Sequence, residues 1–289
     1  MADSRKLTIG LVQERWCPDP LEHRERLRQG VLAASRRGAK LVCLQELTLN
    51  HYFATKPDND RTPYLESIPD GPTCQFTRAI AMESGSFVTA SLYENAGPGY
   101  NTAICYAPDG ALAGATRKQH IPSGDGYNED FYFHPGDSDY PLHLIAGTPT
   151  ALPTCYDQWF PELARIYSLK GAELIIYPTA IGSEPTAPDF DSQPLWQKVI
   201  VGHGITSNTF IVAVNRVGTE DGITFYGSSF ISDPLGNILA QAPRDDPAVL
   251  TAELDFGRRE LWGRLFPFLR QRQPGTYSRL TTPEPVLKR

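Results

Sequence analysis

The sequence predicts an α/β fold, on three observations. Short β-rich runs recur along it, amphipathic helical stretches separate several of them, and one strand approach, Arg37-Gly-Ala-Lys-Leu-Val-Cys43, is echoed as Lys170-Gly-Ala-Glu-Leu-Ile-Ile176. In both copies a glycine stands where a helix would end and a buried strand begin. The echo fits two similar α/β halves, although a glycine cap before a buried strand also recurs in α/β proteins without duplication.

The strand-like runs are 7–13, 41–45, 87–92, 102–106, 174–177, 210–214 and 249–254, rich in β-branched and apolar residues. Between the first two, Leu21 to Arg37 sets Leu21, Leu27, Val31 and Leu32 on one flank amid charged residues, and Gly38 follows as a cap. This is a strand-helix-strand unit. At 289 residues one large α/β domain and two small ones are both allowed, and no low-complexity linker divides the chain. The stretch Gly182 to Pro194 is long, polar and proline-containing, the character of a functional loop. The tail, 271–289, holds Pro274, Pro283 and Pro285 and is expected to wrap a neighbouring surface or a partner subunit.

Composition excludes several classes. The net charge is -6 over 289 residues and no run of Lys or Arg exceeds a pair, so no footprint for nucleic acid is present. No stretch reaches the ~18 apolar residues of a membrane span, and the N-terminus has no apolar signal core; a cytoplasmic protein is expected. Cys17, Cys43, Cys74, Cys105 and Cys155 are far apart and include no CxxC pair, which argues for reduced thiols. The six histidines show no ligand spacing with nearby acids or thiols, so neither a metal nor a cofactor is expected.

Cys155 lies in Leu152-Pro-Thr-Cys-Tyr-Asp-Gln-Trp-Phe-Pro-Glu162, where an apolar run stops and a helix is expected to start, with Pro161 and Glu162 suited to its first turn. Free N–H groups and a helix dipole at such an elbow would stabilise a thiolate or an oxyanion. A buried thiol packed as a small hydrophobe is the structural alternative, and Cys43 and Cys105, inside apolar strands, fit it. Glu46 follows the strand 41–45 at its carboxyl end, where open α/β sheets place their sites; a solvated strand-end acid is its plain alternative. Lys118 follows a strand-like run in Thr116-Arg-Lys-Gln-His-Ile-Pro122 and alone reads as a surface lysine. His120 offers a competing protease-like pair with Cys155.

Together the blocks say more. Leu44-Gln-Glu-Leu47, Arg117-Lys-Gln-His-Ile-Pro122 and Thr154-Cys-Tyr-Asp-Gln-Trp-Phe-Pro-Glu162 resemble, in order, the Glu, Lys and Cys blocks of the nitrilase superfamily. The likeness continues through 126–137, 177–185, 213–218 and 225–230. Within the superfamily the chain looks most similar to the N-carbamoylputrescine amidohydrolases, through Asp157-Gln-Trp-Phe-Pro-Glu162 and 181–185. Tyr156, where relatives commonly carry Trp, and the segments 48–51 and 185–188 depart from that pattern.

The resemblance implies a four-layer αββα sandwich, hence one domain over 1–270, and a hydrolase acting on a linear amide. It implies that Glu46 is the general base, Cys155 the nucleophile, and Lys118 with the backbone N–H of Tyr156 the oxyanion donors, with Glu129 orienting the lysine. A carbamoyl amine substrate would be split to amine, ammonia and carbon dioxide. Its distal ammonium would need an acid, with Asp125, Glu184 and Asp189 as candidates, while Tyr127, Trp159 and Tyr156 could wall the aliphatic part. The family also implies a homo-oligomer. An N-carbamoyl amino acid hydrolase, an aliphatic amidase or a nitrilase using the same residues is an alternative, and a non-catalytic binding protein on this fold is another.

Overall fold

Side-chain alternation in the first strand sets the layers. In the computed structural model, which describes residues 4–58 and 60–282, β1 (Lys6–Gln13) turns Leu7, Ile9 and Leu11 toward one core and Val12 toward another, as period-two geometry requires. α1 (Pro20–Arg36) follows, its N-terminus capped by the Asp19 carboxylate, which accepts from the N–H groups of Leu21 and Glu22. Then come β2 (Leu41–Cys43), a two-residue β3 (Leu65–Glu66), α2 (Pro72–Ser84), β4 (Phe87–Asn95), β5 (Gly99–Tyr106) and β6 (Leu112–Arg117).

The remainder of the chain runs β7 (His143–Ile145), β8 (Thr148–Ala151), α3 (Pro161–Lys170), β9 (Leu174–Pro178), α4 (Gln193–Ser207) and β10 (Phe210–Val214). A hairpin of β11 (Val217–Glu220) and β12 (Ile223–Tyr226) precedes β13 (Phe230–Ser232) and β14 (Ile238–Gln241), and β15 (Ala248–Asp255) leads into α5 (Phe256–Leu265).

Two large sheets result among the described residues, besides the β11-β12 hairpin, and they repeat one plan. The first has the order β15-β1-β2-β4-β5-β6, with β3 added on β4, and the second β7-β8-β9-β10-β13-β14. In both, the first neighbour pair is antiparallel, the next two are parallel and the last two antiparallel. The echoed glycines occupy equivalent places: Gly38 after α1 has φ +92° and Gly171 after α3 has φ +106°, left-handed backbone that glycine adopts without steric cost.

The sheets pack face to face. Leu7, Ile9, Leu11, Cys43 and Cys105 of the first sheet share a core with Leu174, Ile176, Phe210 and Val212 of the second. α1 and α2 cover the outer face of the first sheet, with Leu27, Val31 and Ile80 against Val42 and Val88. α3 covers the outer face of the second through Leu163 and Tyr167, and α4 through Trp196 and Ile200. The layers are therefore αββα, as the resemblance implies. No described helix is long and apolar enough to cross a membrane. The part of the tail at 283–289 lies outside the described residues.

The sequence-expected strand 41–45 ends as a strand at Cys43. Leu44 still donates to the Thr89 carbonyl, but the chain then turns sharply at Leu47, φ +47°. That turn places Glu46 under the sheets' ends instead of in solvent.

Candidate active site

Four segments converge beyond the strand ends. Glu46 leaves the β2 side, and its turn is tied to β4: Leu47 N–H donates to Ser91 Oγ at 3.2 Å and Thr48 N–H to the Ser91 carbonyl at 2.9 Å. Ser91 Oγ in turn donates to Asn101 Oδ1 at 3.0 Å, and Asn101 Nδ2 donates to Glu46 Oε1 at 2.7 Å. Lys118 follows β6, and its N–H donates to the Asn101 carbonyl at 2.8 Å. Asn101 therefore holds both residues, one through its side chain and one through its backbone.

Lys118 and Glu46 have no exposed surface, and neither has Glu129 on the short 3₁₀ turn Glu129–Phe131. Lys118 Nζ donates to Glu46 Oε1 at 2.9 Å and to Glu129 Oε2 at 2.6 Å. The Tyr52 hydroxyl donates to the other Glu129 oxygen, Oε1, at 2.8 Å. Glu46 Oε2 is buried with no hydrogen-bond partner, so one oxygen of that carboxylate is free to accept a proton.

Electrostatics follows from this geometry. Burial opposes charge on Lys118 more than any other single effect, but Glu129, Glu46 and Cys155 together outweigh it and hold the ammonium above the ordinary lysine value. Glu129 is pushed up to about 7, chiefly by burial and further by Glu46, against the pull of Lys118 and Tyr52. The lysine thus stays cationic while Glu129 titrates near neutrality.

Cys155 stands at the elbow between β8 and the 3₁₀ turn Cys155–Trp159, with φ +42°. A left-handed non-glycine residue costs ~1–3 kcal/mol and persists only where its surroundings impose it. Here they are Asp157, whose carboxylate accepts from Thr154 N–H at 3.0 Å, and the Ala180 carbonyl, 3.7 Å from Cys155 Sγ as acceptor. The α-helix begins at Pro161, as the suitability of Pro161 and Glu162 for a first turn predicts; it starts six residues beyond Cys155, so the α3 dipole is not centred on the sulfur. Burial, then Glu46, and less strongly Glu129, push the Cys155 thiol well above its ordinary value, against Lys118 and the Ala180 backbone.

His120 does not pair with Cys155. Its Nδ1 lies 2.8 Å from Asp157 Oδ1 and its ring stacks on Phe160 at 3.6 Å, which accounts for its ring without the sulfur.

A cleft of about 310 Å³ opens over Cys155. Glu129, Tyr156, Tyr127 and Trp159 line it, with Asp125 and Glu184 as further acids. Among the described residues that line it, none is cationic. Asp189 lines a separate neighbouring cavity with Asp191 and Arg244, since the loop 182–188 comes between; it is not part of this cleft. Tyr127 also ties the cleft's rim, its hydroxyl accepting from Gly182 N–H at 3.0 Å and donating to the Ser183 carbonyl at 3.2 Å. Gly182 bridges to Phe225 on β12, and a Cβ there would collide with the Thr224 carbonyl, so the loop docks only with glycine. A larger cleft, about 620 Å³, lies beside α5 and contains none of these residues.

Sequence reasoning missed Asn101, Tyr52 and Asp157. Asp157 carried a local signal, since it accepts from Thr154 three residues before it; the partners of Asn101 and Tyr52, Glu46 and Glu129, are distant in sequence.

The fold and this buried constellation define a hydrolase acting on carbon-nitrogen bonds of amides. The chain belongs to the carbon-nitrogen hydrolase family of the nitrilase superfamily, whose sequence model matches residues 8–264. It is similar to the citrullinase of Francisella tularensis, 35% identical over 283 residues, covering 95% of this chain and 98% of that one. It is also similar to the N-carbamoylputrescine amidase of Arabidopsis thaliana, 38% identical over 265 residues and 87% of each chain. Among solved structures, a carbon-nitrogen hydrolase from Helicobacter pylori superposes with a TM-score of 0.90 at 33% identity, covering 97% of this chain and 100% of that one.

Proposed function

We propose that this protein hydrolyses the ureido group of a linear N-carbamoyl amine, N-carbamoylputrescine or a close analogue. The observation that carries the substrate class is the charge of the cleft: Asp125 and Glu184 line it and no cationic side chain does. A distal ammonium gains a partner there, whereas a distal carboxylate would be left facing like charge. N-carbamoyl-β-alanine, an anion, is disfavoured on this ground.

In the proposed reaction Glu46 Oε2 takes the thiol proton as Cys155 Sγ bonds to the ureido carbon. The carbonyl oxygen becomes an oxyanion held by Lys118 Nζ and by Tyr156 N–H, one of the first-turn donors of the 3₁₀ turn. Removing one such donor costs ~3 kcal/mol of transition-state stabilisation. The proton on Glu46 passes to the departing nitrogen, and the C–N bond breaks to leave a carbamoyl thioester. Glu46 then removes a proton from water, which attacks the thioester and restores the thiol. The carbamate released decomposes, so one substrate and one water give amine, ammonia and carbon dioxide. Glu129 keeps Lys118 oriented and charged.

A second reading, hydrolysis of citrulline, is favoured by the similarity to the citrullinase over nearly the full chain. Citrulline carries both an ammonium and a carboxylate, so the acidic cleft meets one and opposes the other. Ammonia release from N-carbamoylputrescine, citrulline, N-carbamoyl-β-alanine, a simple amide and a nitrile tests both. The highest kcat/KM is expected on N-carbamoylputrescine; preference for citrulline selects the second reading, and preference for the nitrile overturns the carbamoyl assignment. A homo-oligomer and a cytoplasmic location are further parts of this proposal, and sedimentation of the purified protein tests the first.

A further inference from the structure

Arg216 is completely buried, yet it lies outside both the carboxylate–lysine cluster and the cleft. It leaves the end of β10, in the second sheet, and reaches the turn that carries Glu46 from the first. Nη2 donates to the Glu46 carbonyl at 2.6 Å and to the Leu47 carbonyl at 3.2 Å, and Nη1 reaches the Asn50 carbonyl at 3.3 Å. Nη1 also pairs with both carboxylate oxygens of Glu220, at 3.0 and 2.8 Å. Glu220 Oε2 accepts from Tyr52 N–H at 2.7 Å.

One ion pair therefore holds the chain at Glu46, Leu47, Asn50 and Tyr52. The two ends of that stretch meet the proposed machinery. Glu46 presents its carboxylate to Lys118, and Tyr52 donates its hydroxyl to Glu129. Between them, Leu47 has the left-handed φ of +47°, a conformation that needs outside support. A guanidinium suits the task because it offers several N–H donors in a rigid planar fork, where a lysine ammonium offers a single point.

We propose that Arg216 and Glu220 are positioning residues that set the placement of Glu46 and, through Tyr52, of Glu129 around Lys118. This rests on the roles proposed above for those two acids. The pair touches no cleft residue directly, so its effect falls on the chemical step and on the titration of the cluster more than on substrate binding.

The test uses the full-length protein with Glu220→Gln, which keeps the side-chain shape, and Arg216→Lys, which keeps the charge. Two quantities are read: kcat and KM on N-carbamoylputrescine, and the pH midpoint of Cys155 carbamidomethylation by iodoacetamide. For variants that melt near the parent's temperature, kcat is expected to fall about tenfold or more, as misplacement of a reacting group does, with a smaller change in KM and a displaced alkylation midpoint. Parental kcat and an unmoved midpoint in a folded variant overturn the proposal. Where a single change prevents folding, Arg216→Met with Glu220→Leu removes both charges and leaves no unpaired buried ion; the same two outcomes decide there. If the parent protein does not hydrolyse N-carbamoylputrescine, the substrate assignment fails, while the alkylation midpoint still reads the placement of Glu46.

Discussion

Asp157 binds His120 twice: its Oδ1 accepts from the His120 backbone N–H at 2.9 Å and lies 2.8 Å from the ring Nδ1. Its other oxygen accepts from Thr154 N–H at 3.0 Å and from Gln119 N–H at 3.4 Å. One buried carboxylate thus joins the loop just after Lys118 to the residue just before Cys155. Cys155 and Lys118, the proposed nucleophile and oxyanion donor, are held in register through it.

Asp157→Asn turns one of those acceptor oxygens into a donor facing backbone N–H groups. A stability loss of ~1–3 kcal/mol is expected from the unsatisfied buried groups, with kcat falling more than KM rises. Chemical denaturation and steady-state kinetics on the same preparation check both.

Lys118→Ala is expected to abolish turnover and also to destabilise the protein by ~3–5 kcal/mol, because it strands two fully buried carboxylates. Adding Glu129→Gln to it should return part of the stability and none of the activity. A Lys118→Ala protein that melts with the parent would show that the ion pairs hold nothing in place.

Glu129 makes stability depend on pH in a defined sense. Its carboxyl sits at about 7 against the ordinary 4.5, so the folded state binds the proton more tightly than the unfolded state. That contribution is complete below 4.5 and is lost as pH rises through about 7. Between those limits the melting temperature of Glu129→Gln is expected to fall less with rising pH than that of the parent. Parallel melting curves across the window would refute the shift.

The acids of the cleft can be separated from the machinery. Asp125→Asn and Glu184→Gln are expected to raise KM for N-carbamoylputrescine about tenfold, equivalent to ~1.4 kcal/mol, with kcat changed less. N-pentylurea, in which a methyl group replaces the ammonium, should show no such rise. An equal rise on both ureas would mean that the acids shape the cleft without meeting the charge.

Cys155 is expected to react with iodoacetamide before Cys43 and Cys105, since it lines the cleft while they are sealed in the core between the sheets. Peptide mass mapping over time checks this, and Glu46→Gln should slow the reaction near neutrality. Equal labelling of the three would favour the binding-protein alternative.

β1, β2, β4, β5, β9, β10, β15 and α1 were legible in the sequence because their periodicity is local: β10 runs over the expected 210–214, and α1 lies within one residue of the expected helix; the short β3, β7, β8 and β11 to β14 were not expected. The Glu46, Lys118 and Cys155 blocks were legible for the same reason, as short contiguous strings. What the sequence by itself determined was therefore an α/β plan and the segments that resemble the family's blocks, the αββα layers being implied by that resemblance. Tertiary structure decided how those segments are held. Arg216 meets the Glu46 carbonyl across 170 positions of chain, Tyr52 meets Glu129 across 77, and Asp157 meets His120 across 37. It also decided the surroundings of the cysteine, because the burial and neighbouring carboxylates that push its thiol up come only from packing. No periodicity encodes such contacts, since each depends on two distant segments being brought within hydrogen-bond reach by sheets that pack face to face.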